Sequence, residues 1–290
     1  MVSIVITNYN YSRFLIEAVN NIFKQTVSDW EIIIVDDKST DNSEEIYSLL
    51  KKKIIKNLTI IKNNTNLGAS KSRNLGVDGS KGEYICFLDA DDYWEENKLE
   101  KQLKFFQGNT NYTGLIHTGI RVKTDEVTQK WLADNYKIQP KLWERHFNDD
   151  FTRLLFYNKG NYFHILKKGH PICLSSIMVR RDVFNKVGGF DDGLFYQFED
   201  WLFSLKCSLV SGIKFIPDKL VNYRIHPDFY TGKHYLKEGG HWDLTFGQLY
   251  DRCLIFARRM GIKLSYKDLR KNHRYSIFRK LLFRLKYRNE

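Results

Sequence analysis

The chain has 290 residues, 42% of them hydrophobic and 28% charged, a balance that fits one large or two modest folded domains and excludes a disordered polymer. Its formal net charge is +12, and from Lys263 to the end ten basic residues face only Asp268 and Glu290. Such a field attracts polyanions, whether nucleic acid, anionic lipid or phosphorylated substrates.

Val2–Thr7 is a short apolar run ending in Asn8-Tyr9-Asn10, the pattern of a buried parallel strand. Ser12 is placed to cap a helix whose apolar positions are Leu15, Ala18, Val19, Ile22 and Phe23. Glu31–Val35 reads as a second buried strand that stops at Asp36-Asp37, and a polar stretch leads to a helix carrying Ile46, Leu49 and Leu50. Leu58–Ile61 is a third strand, Asn63–Gly68 a loop and Ala69–Val77 a helix. Tyr84–Leu88 is a fourth strand, ended by Asp89-Ala90-Asp91-Asp92.

Strand and helix alternating in this way predict an α/β fold with a mostly parallel, doubly wound central sheet. Such sheets bind ligands beyond the carboxyl ends of their strands, where Thr7–Asn10, Asp36-Asp37 and Asp89–Asp92 all fall. Further on, Trp94–Phe106 reads as a helix and Leu115–Val122 as a strand, and residues 124–170 are aromatic and irregular. Ile172–Val179 reads as a strand, followed by a short helix from Asp182, then Gly188-Gly189-Phe190, and a helix over Glu199–Val210. The stretch from Ser265 is helical and basic.

Like charges packed at Asp89, Asp91 and Asp92 are costly unless a cation neutralises them. Carboxylate oxygens suit Mg²⁺ or Mn²⁺, which complete their shells with water and phosphates, and an ion here would hold a diphosphate as a leaving group. A solvated acidic turn capping the next helix is the simpler alternative. Asp36-Asp37 can accept from a nucleobase NH or ribose hydroxyls, or else cap the helix after Ser39. Thr7-Asn8-Tyr9 offers an aromatic face to a base, or is an ordinary turn.

Val2-Ser-Ile-Val-Ile-Thr-Asn-Tyr-Asn10, Val35-Asp-Asp-Lys-Ser39, Asn66-Leu-Gly-Ala-Ser-Lys-Ser-Arg-Asn74 and Phe87-Leu-Asp-Ala-Asp-Asp92 resemble the successive blocks of family-2 glycosyltransferases. Gly188-Gly-Phe-Asp191 and Glu199-Asp200 resemble that family's acceptor-side motifs, and the likeness covers about residues 1–226. It implies the GT-A fold, a nucleotide-sugar donor bound with a divalent metal, and a hexosyl or N-acetylhexosaminyl transfer that inverts the anomer. By position, Thr7, Tyr9 and Asp37 would contact the nucleoside, Asp37 at a uracil ring, and Arg73 the base and phosphates. Asp91 would bind the metal, with Asp89 its ribose- or metal-side partner, while Asp92 caps the following helix. Asp200 would be the general base, with Glu199 orienting it. Tyr223-Arg-Ile-His226 resembles the C-terminal block, which makes His226 a candidate metal or phosphate contact or a plain loop histidine. In the absence of that motif, Arg73 reads as a surface arginine and Glu199-Asp200 as first-turn residues favoured by the helix dipole.

The domain expectation is a catalytic domain over 1–226, with a nucleotide-sugar half (1–92) and an acceptor half (93–226), and a basic, mainly helical C-terminal extension over 227–290. Tyr275, Phe278, Leu281, Leu282 and Leu285 share one helical face, with Arg274, Lys280, Arg284 and Arg288 around it. Such a helix either lies on an anionic bilayer or packs on the domain. The resemblance adds a glycan or lipid-linked glycan acceptor at the inner membrane leaflet. Cys86, Cys173, Cys207 and Cys253 form no CxxC pair and read as buried thiols of a reducing compartment. With no signal peptide and no apolar run of about 18–20 residues, the expectation is a cytoplasmic protein, peripheral at most on the membrane. A sugar-1-phosphate nucleotidyltransferase would need a Gly-rich basic loop after the first strand, where only Arg13 is near. A nucleic-acid binder would suit the tail, but no nucleic-acid motif is present.

Overall fold

Four apolar runs become the parallel half of an eight-stranded sheet: β1 (Val2–Asn8), β2 (Trp30–Asp36), β3 (Leu58–Lys62) and β4 (Tyr84–Asp89), in the order β3-β2-β1-β4. The computed structural model describes residues 1–53, 56–108, 112–136, 140–145, 148–149, 162–167, 172–193, 198–227 and 242–270. Ile4, Ile6, Ile32, Ile33, Ile34, Val35 and Ile85 have no exposed surface, because helices cover both faces of a parallel sheet. Those helices are α1 (Ser12–Phe23), α2 (Ser43–Lys53) and α3 (Ala69–Asp78). Gly76 lets α3 approach β1 closely: a Cβ there would come within 2.4 Å of Val5 Cγ1. Register aligns the strand tips, pairing Thr7 with both Val35 and Asp89, and Asn8 with Asp36.

The remaining strands continue the order as β7-β6-β8-β5, with β5 (Tyr93–Trp94), β6 (Thr113–Lys123), β7 (Met178–Arg180) and β8 (Gly212–Arg224). Here β7 runs antiparallel to β4 and to β6, and β5 antiparallel to β8. Several expectations are corrected. Trp94 begins no helix: it pairs with Val221 in β5, and α4 starts later, at Lys98–Gly108. Ile172–Val179 is not a continuous strand, because Leu174–Ser176 forms a 3-10 turn in which Ser176 Oγ donates to the Cys173 carbonyl at 2.6 Å, a local serine–backbone bond that competes with the ladder. Ser12 is likewise not a cap. Tyr11 holds the N-cap position of α1 without a side-chain bond, and the Ser12 N–H donates instead to Asp41 Oδ2 at 2.9 Å. Phe23 and Leu49, expected on buried helix faces, are exposed.

The chain divides into two compact units that interleave along the sequence, the first gathering Met1–Arg121, Ile172–Gly193 and Val210–Tyr223. It holds the parallel half of the sheet and α8 (Arg181–Val187), which ends on Gly188 in the left-handed region. The described residues between and after those segments make the second unit. There α5 (Glu126–Tyr136), α6 (Pro140–Arg145), α7 (Tyr162–Leu166), α9 (Glu199–Val210), α10 (Trp242–Arg259) and α11 (Tyr266–Arg270) supply the helices. Trp201 Nε1 donates to the Leu166 carbonyl at 2.6 Å, and Lys167 Nζ to the Asp268 carbonyl at 2.8 Å. All four cysteines are buried thiols, and burial pushes Cys86 up to about 11. No helix among the described residues is long and apolar enough to cross a membrane. The expected amphipathic face at 274–288 lies outside the described residues.

Candidate active site

The tips of β1, β2 and β4 adjoin one another in the first unit, and each carries polar side chains. At β1, Thr7 is half-buried and Tyr9 is 48% exposed, leaving an aromatic face open to a planar ligand. Between them Asn8 is buried, and its amide donates to Tyr47 Oη at 2.7 Å and Ser43 Oγ at 2.8 Å. Tyr47 Oη in turn donates to Asp36 Oδ2, so Asp36 staples the β1 and β2 tips to α2. Asp36 Oδ1 also accepts from the Ser39 N–H at 2.9 Å. Burial, together with the Asp36 carboxylate, pushes the Tyr47 phenol well above its ordinary range.

Asp37 is 5% exposed. Its Oδ1 accepts from Asn63 Nδ2 at 2.8 Å and the Leu67 N–H at 2.7 Å, and its Oδ2 from the Gly68 N–H at 2.9 Å. The carboxylate thus shapes the loop that opens α3, and with about four lone-pair sites in all it keeps one on Oδ2 for a further donor. Neither aspartate caps a helix after Ser39: α2 begins at Ser43, whose N–H is taken by Asp41 Oδ1 at 3.1 Å.

The Asp89–Asp92 turn differs. Asp89 and Asp91 are half-exposed, and Asp92 and Ala90 are buried, so the residue between the two exposed carboxylates is small because it packs inward. The Asp92 N–H closes the turn on the Asp89 carbonyl at 2.9 Å. Asp92, expected to cap the following helix, turns inward: its Oδ2 accepts from Ser175 Oγ at 2.6 Å, and α4 begins only at Lys98. Arg73, buried on α3, brings Nη2 within 3.2 Å of Asp89 Oδ1, a charge-assisted bond that aims the Asp89 carboxylate.

Arg73 is seated by residues that stood in the quoted motif blocks but to which the sequence reading gave no such role. Its guanidinium lies 5.4 Å from the ring centroid of Phe190, which meets Phe87 edge-on at 5.0 Å. Asn74 Nδ2 donates to the Phe190 carbonyl at 2.9 Å while the Phe190 N–H donates to Asn74 Oδ1 at 3.0 Å. Gly189 adopts φ 64, and a Cβ there would meet Asn74 Oδ1 at 2.6 Å. The Gly188-Gly189-Phe190 motif therefore buttresses Arg73 from below.

In the second unit, Glu199 and Asp200 open α9 and are half-exposed. Asp200 Oδ1 accepts from the Trp201 N–H at 2.7 Å. Phe198 before them has φ 74, a left-handed conformation costly for a bulky residue and often found at functional positions. His226 is buried in this unit.

The half-exposed oxygens of Asp89 and Asp91 are the hard donors that Mg²⁺ or Mn²⁺ takes. Among the described residues no three His, Cys, Asp or Glu side chains gather as a metal cluster. Carboxylate oxygens of this kind suit an ion that completes its shell with water and phosphate oxygens, and Arg73 holds one oxygen of Asp89.

The model of the family described as glycosyl transferase family 2 matches residues 3–188. Glycosyltransferase GlyG of Streptococcus pneumoniae serotype 4 is 39% identical over 271 residues, covering 90% of this chain and 72% of that protein. The chain spans only part of other curated relatives, 65% of one from Nostoc sp. and 41% of one from Bacillus subtilis. Among solved structures, S. aureus TarS 1-349 in complex with UDP-GlcNAc superposes with a TM-score of 0.67 at 19% identity, covering 99% of this chain and 76% of that one. The mannosyltransferase PcManGT of Pyrobaculum calidifontis, in complex with GDP-Man and Mn2+, does so at 0.60 and 16% identity, covering 99% and 70%. At these identities the likeness is one of fold, which is GT-A.

Proposed function

The chain belongs to glycosyltransferase family 2, and from that premise we propose that it moves a sugar from a UDP-sugar donor to a hydroxyl of a glycan or lipid-linked glycan, with inversion. The observation that carries this reading is the tip of β4, where half-exposed Asp89, in register with Thr7 and aimed by Arg73, stands two residues from half-exposed Asp91. The UDP-GlcNAc and GDP-Man complexes of TarS and PcManGT support a nucleotide-sugar donor on this fold.

Tyr9 stacks on the uracil, and Asp37 Oδ2 accepts the base N–H with its remaining lone pair. Thr7 and Asp89 bind the ribose side, and Arg73 faces the phosphates. Asp91 and Asp89 would hold a divalent cation, which when bound neutralises charge on the diphosphate. Asp200 takes the proton of the acceptor hydroxyl as its oxygen bonds to C1. The C1–O bond to the diphosphate breaks as that bond forms, and the electron pair leaves with UDP. Glu199 orients Asp200, and His226 is a further metal or phosphate contact. The reaction is placed at the cytoplasmic face of the membrane, with the basic C-terminal segment as the surface contact.

A screen of nucleotide sugars with Mn²⁺ or Mg²⁺, scored by released UDP or GDP, tests the reading. UDP release from at least one donor is expected, with turnover reduced about 10²–10⁴-fold in Asp200→Asn while donor affinity is kept. Release of neither nucleotide from any donor would overturn the assignment, and normal turnover in the variant would move the base elsewhere.

A further inference from the structure

Ser175 lies on the Leu174–Ser176 turn that precedes β7 and has no exposed surface. Its Oγ donates to Asp92 Oδ2 at 2.6 Å and accepts from the Asp89 N–H at 3.2 Å. Its carbonyl accepts from Trp94 Nε1 at 2.9 Å. These directions follow from the partners, since an ionised carboxylate only accepts and a backbone N–H only donates. One residue, between 81 and 86 positions along the chain from its partners, therefore grips the first and last residues of the Asp89–Asp92 turn and the tryptophan behind it.

We propose that Ser175 is a positioning residue for this turn, fixing the direction in which Asp91 offers its carboxylate to the donor diphosphate and its cation. The proposal rests on the role given to Asp91 above. A four-residue turn at a strand tip has few bonds of its own, and here the Asp92 N–H to Asp89 carbonyl bond closes it. Pinning residues 89 and 92 from outside leaves Asp91 on a held backbone, so its carboxylate need not be ordered when ligand arrives. Deleting the hydroxyl takes one donor from the buried Asp92 carboxylate and the acceptor from the Asp89 N–H, both ends of the same turn. The nucleoside contacts at Thr7, Tyr9 and Asp37 sit on other strands and stay in place.

The experiment is calorimetric titration of wild type, Ser175→Ala and Ser175→Thr with UDP plus Mn²⁺, and with uridine without metal. Ser175→Ala is expected to weaken Mn²⁺-assisted UDP binding about tenfold and to leave uridine binding unchanged, and Ser175→Thr, which keeps the hydroxyl, to restore most of the loss. UDP affinity within twofold of wild type in Ser175→Ala would overturn the proposal. So would an equal loss for uridine and UDP, which marks general damage to the fold, or a threonine variant that behaves as the alanine. A wild-type protein that gains nothing for UDP over uridine from Mn²⁺ would overturn the role of Asp91 itself, and that result is seen before any variant is compared.

Discussion

Two acidic clusters stand at the tips of β2 and β4, the strands on either side of β1 in the parallel half of the sheet, and along the sequence they look alike. After β2, Asp36 and Asp37 are 6% and 5% exposed, and their oxygens are occupied by Tyr47, Ser39, Asn63, Leu67 and Gly68. After β4 only Asp92 is buried, while Asp89 and Asp91 keep exposed faces. A strand-end carboxylate becomes scaffold where a neighbouring loop folds its donors onto it, and remains offered to ligand where the turn pushes it outward. On the proposed reading, Asp36 braces the site, Asp37 keeps one lone pair for the base, and Asp89 and Asp91 supply the charge.

The sharpest way to break that contrast is at Asp91. Asp91→Asn should abolish Mn²⁺-assisted UDP binding in calorimetry without lowering the melting temperature, and retained affinity would cancel the distinction between the tips. Behind the second tip lies a buried cation, Lys98, whose Nζ donates to Gln102 Oε1 at 2.7 Å and sits 4.0 Å over the Trp94 ring. Burial lowers its pKa from 10.5 to about 8, so between these values the unfolded chain binds a proton that the folded one does not. The resulting stability is complete above pH 10.5 and is lost as pH falls to about 8. The difference between wild type and Lys98→Met in denaturant unfolding should therefore change by about 3 kcal/mol across that window, and parallel pH profiles would refute it.

At the scaffold tip, Tyr47→Phe removes a donor to buried Asp36 and is expected to cost about 2 kcal/mol of stability with UDP affinity nearly unchanged. A matching fall in affinity would show that Asp36 belongs to the ligand side after all. The smallest effect is at Phe190→Leu, which deletes the ring beneath Arg73. It should weaken UDP binding about threefold, in keeping with about 0.5–1 kcal/mol for such a contact, by the same titration.

The parallel half of the fold was legible because its strands are unbroken apolar runs, and their order of appearance placed three polar tips together. The antiparallel half was not. A two-residue strand such as Tyr93–Trp94 has no periodicity to read, and the 3-10 turn at Leu174–Ser176 hides in a run that looks extended. Thr7, Asp37, Arg73, Asp89 and Asp91 were visible as motif residues and do gather in one unit. The contacts that hold them were not, for a physical reason: Asn74 meets Phe190 from 116 positions away, and Ser175 meets Asp92 from 83. An asparagine in a helix and a serine in a strand-like run carry no local sign of such contacts. Asp92 shows the same limit, since its acidic type was plain and its inward direction was not.

Asp41 has a consequence for how the chain assembles. Its Oδ2 takes the Ser12 N–H and its Oδ1 the Ser43 N–H, so a single carboxylate anchors the first turns of both α1 and α2. The first turn of α1 is thus tied to a residue 29 positions later, and an excised peptide ending before residue 41 lacks that anchor. Desolvation pushes the Asp41 carboxyl up, but hydrogen bonds from Ser43 and Ser12 outweigh it and leave the pKa below 3.8. Strong acid that protonates this one group should release the two helix starts together.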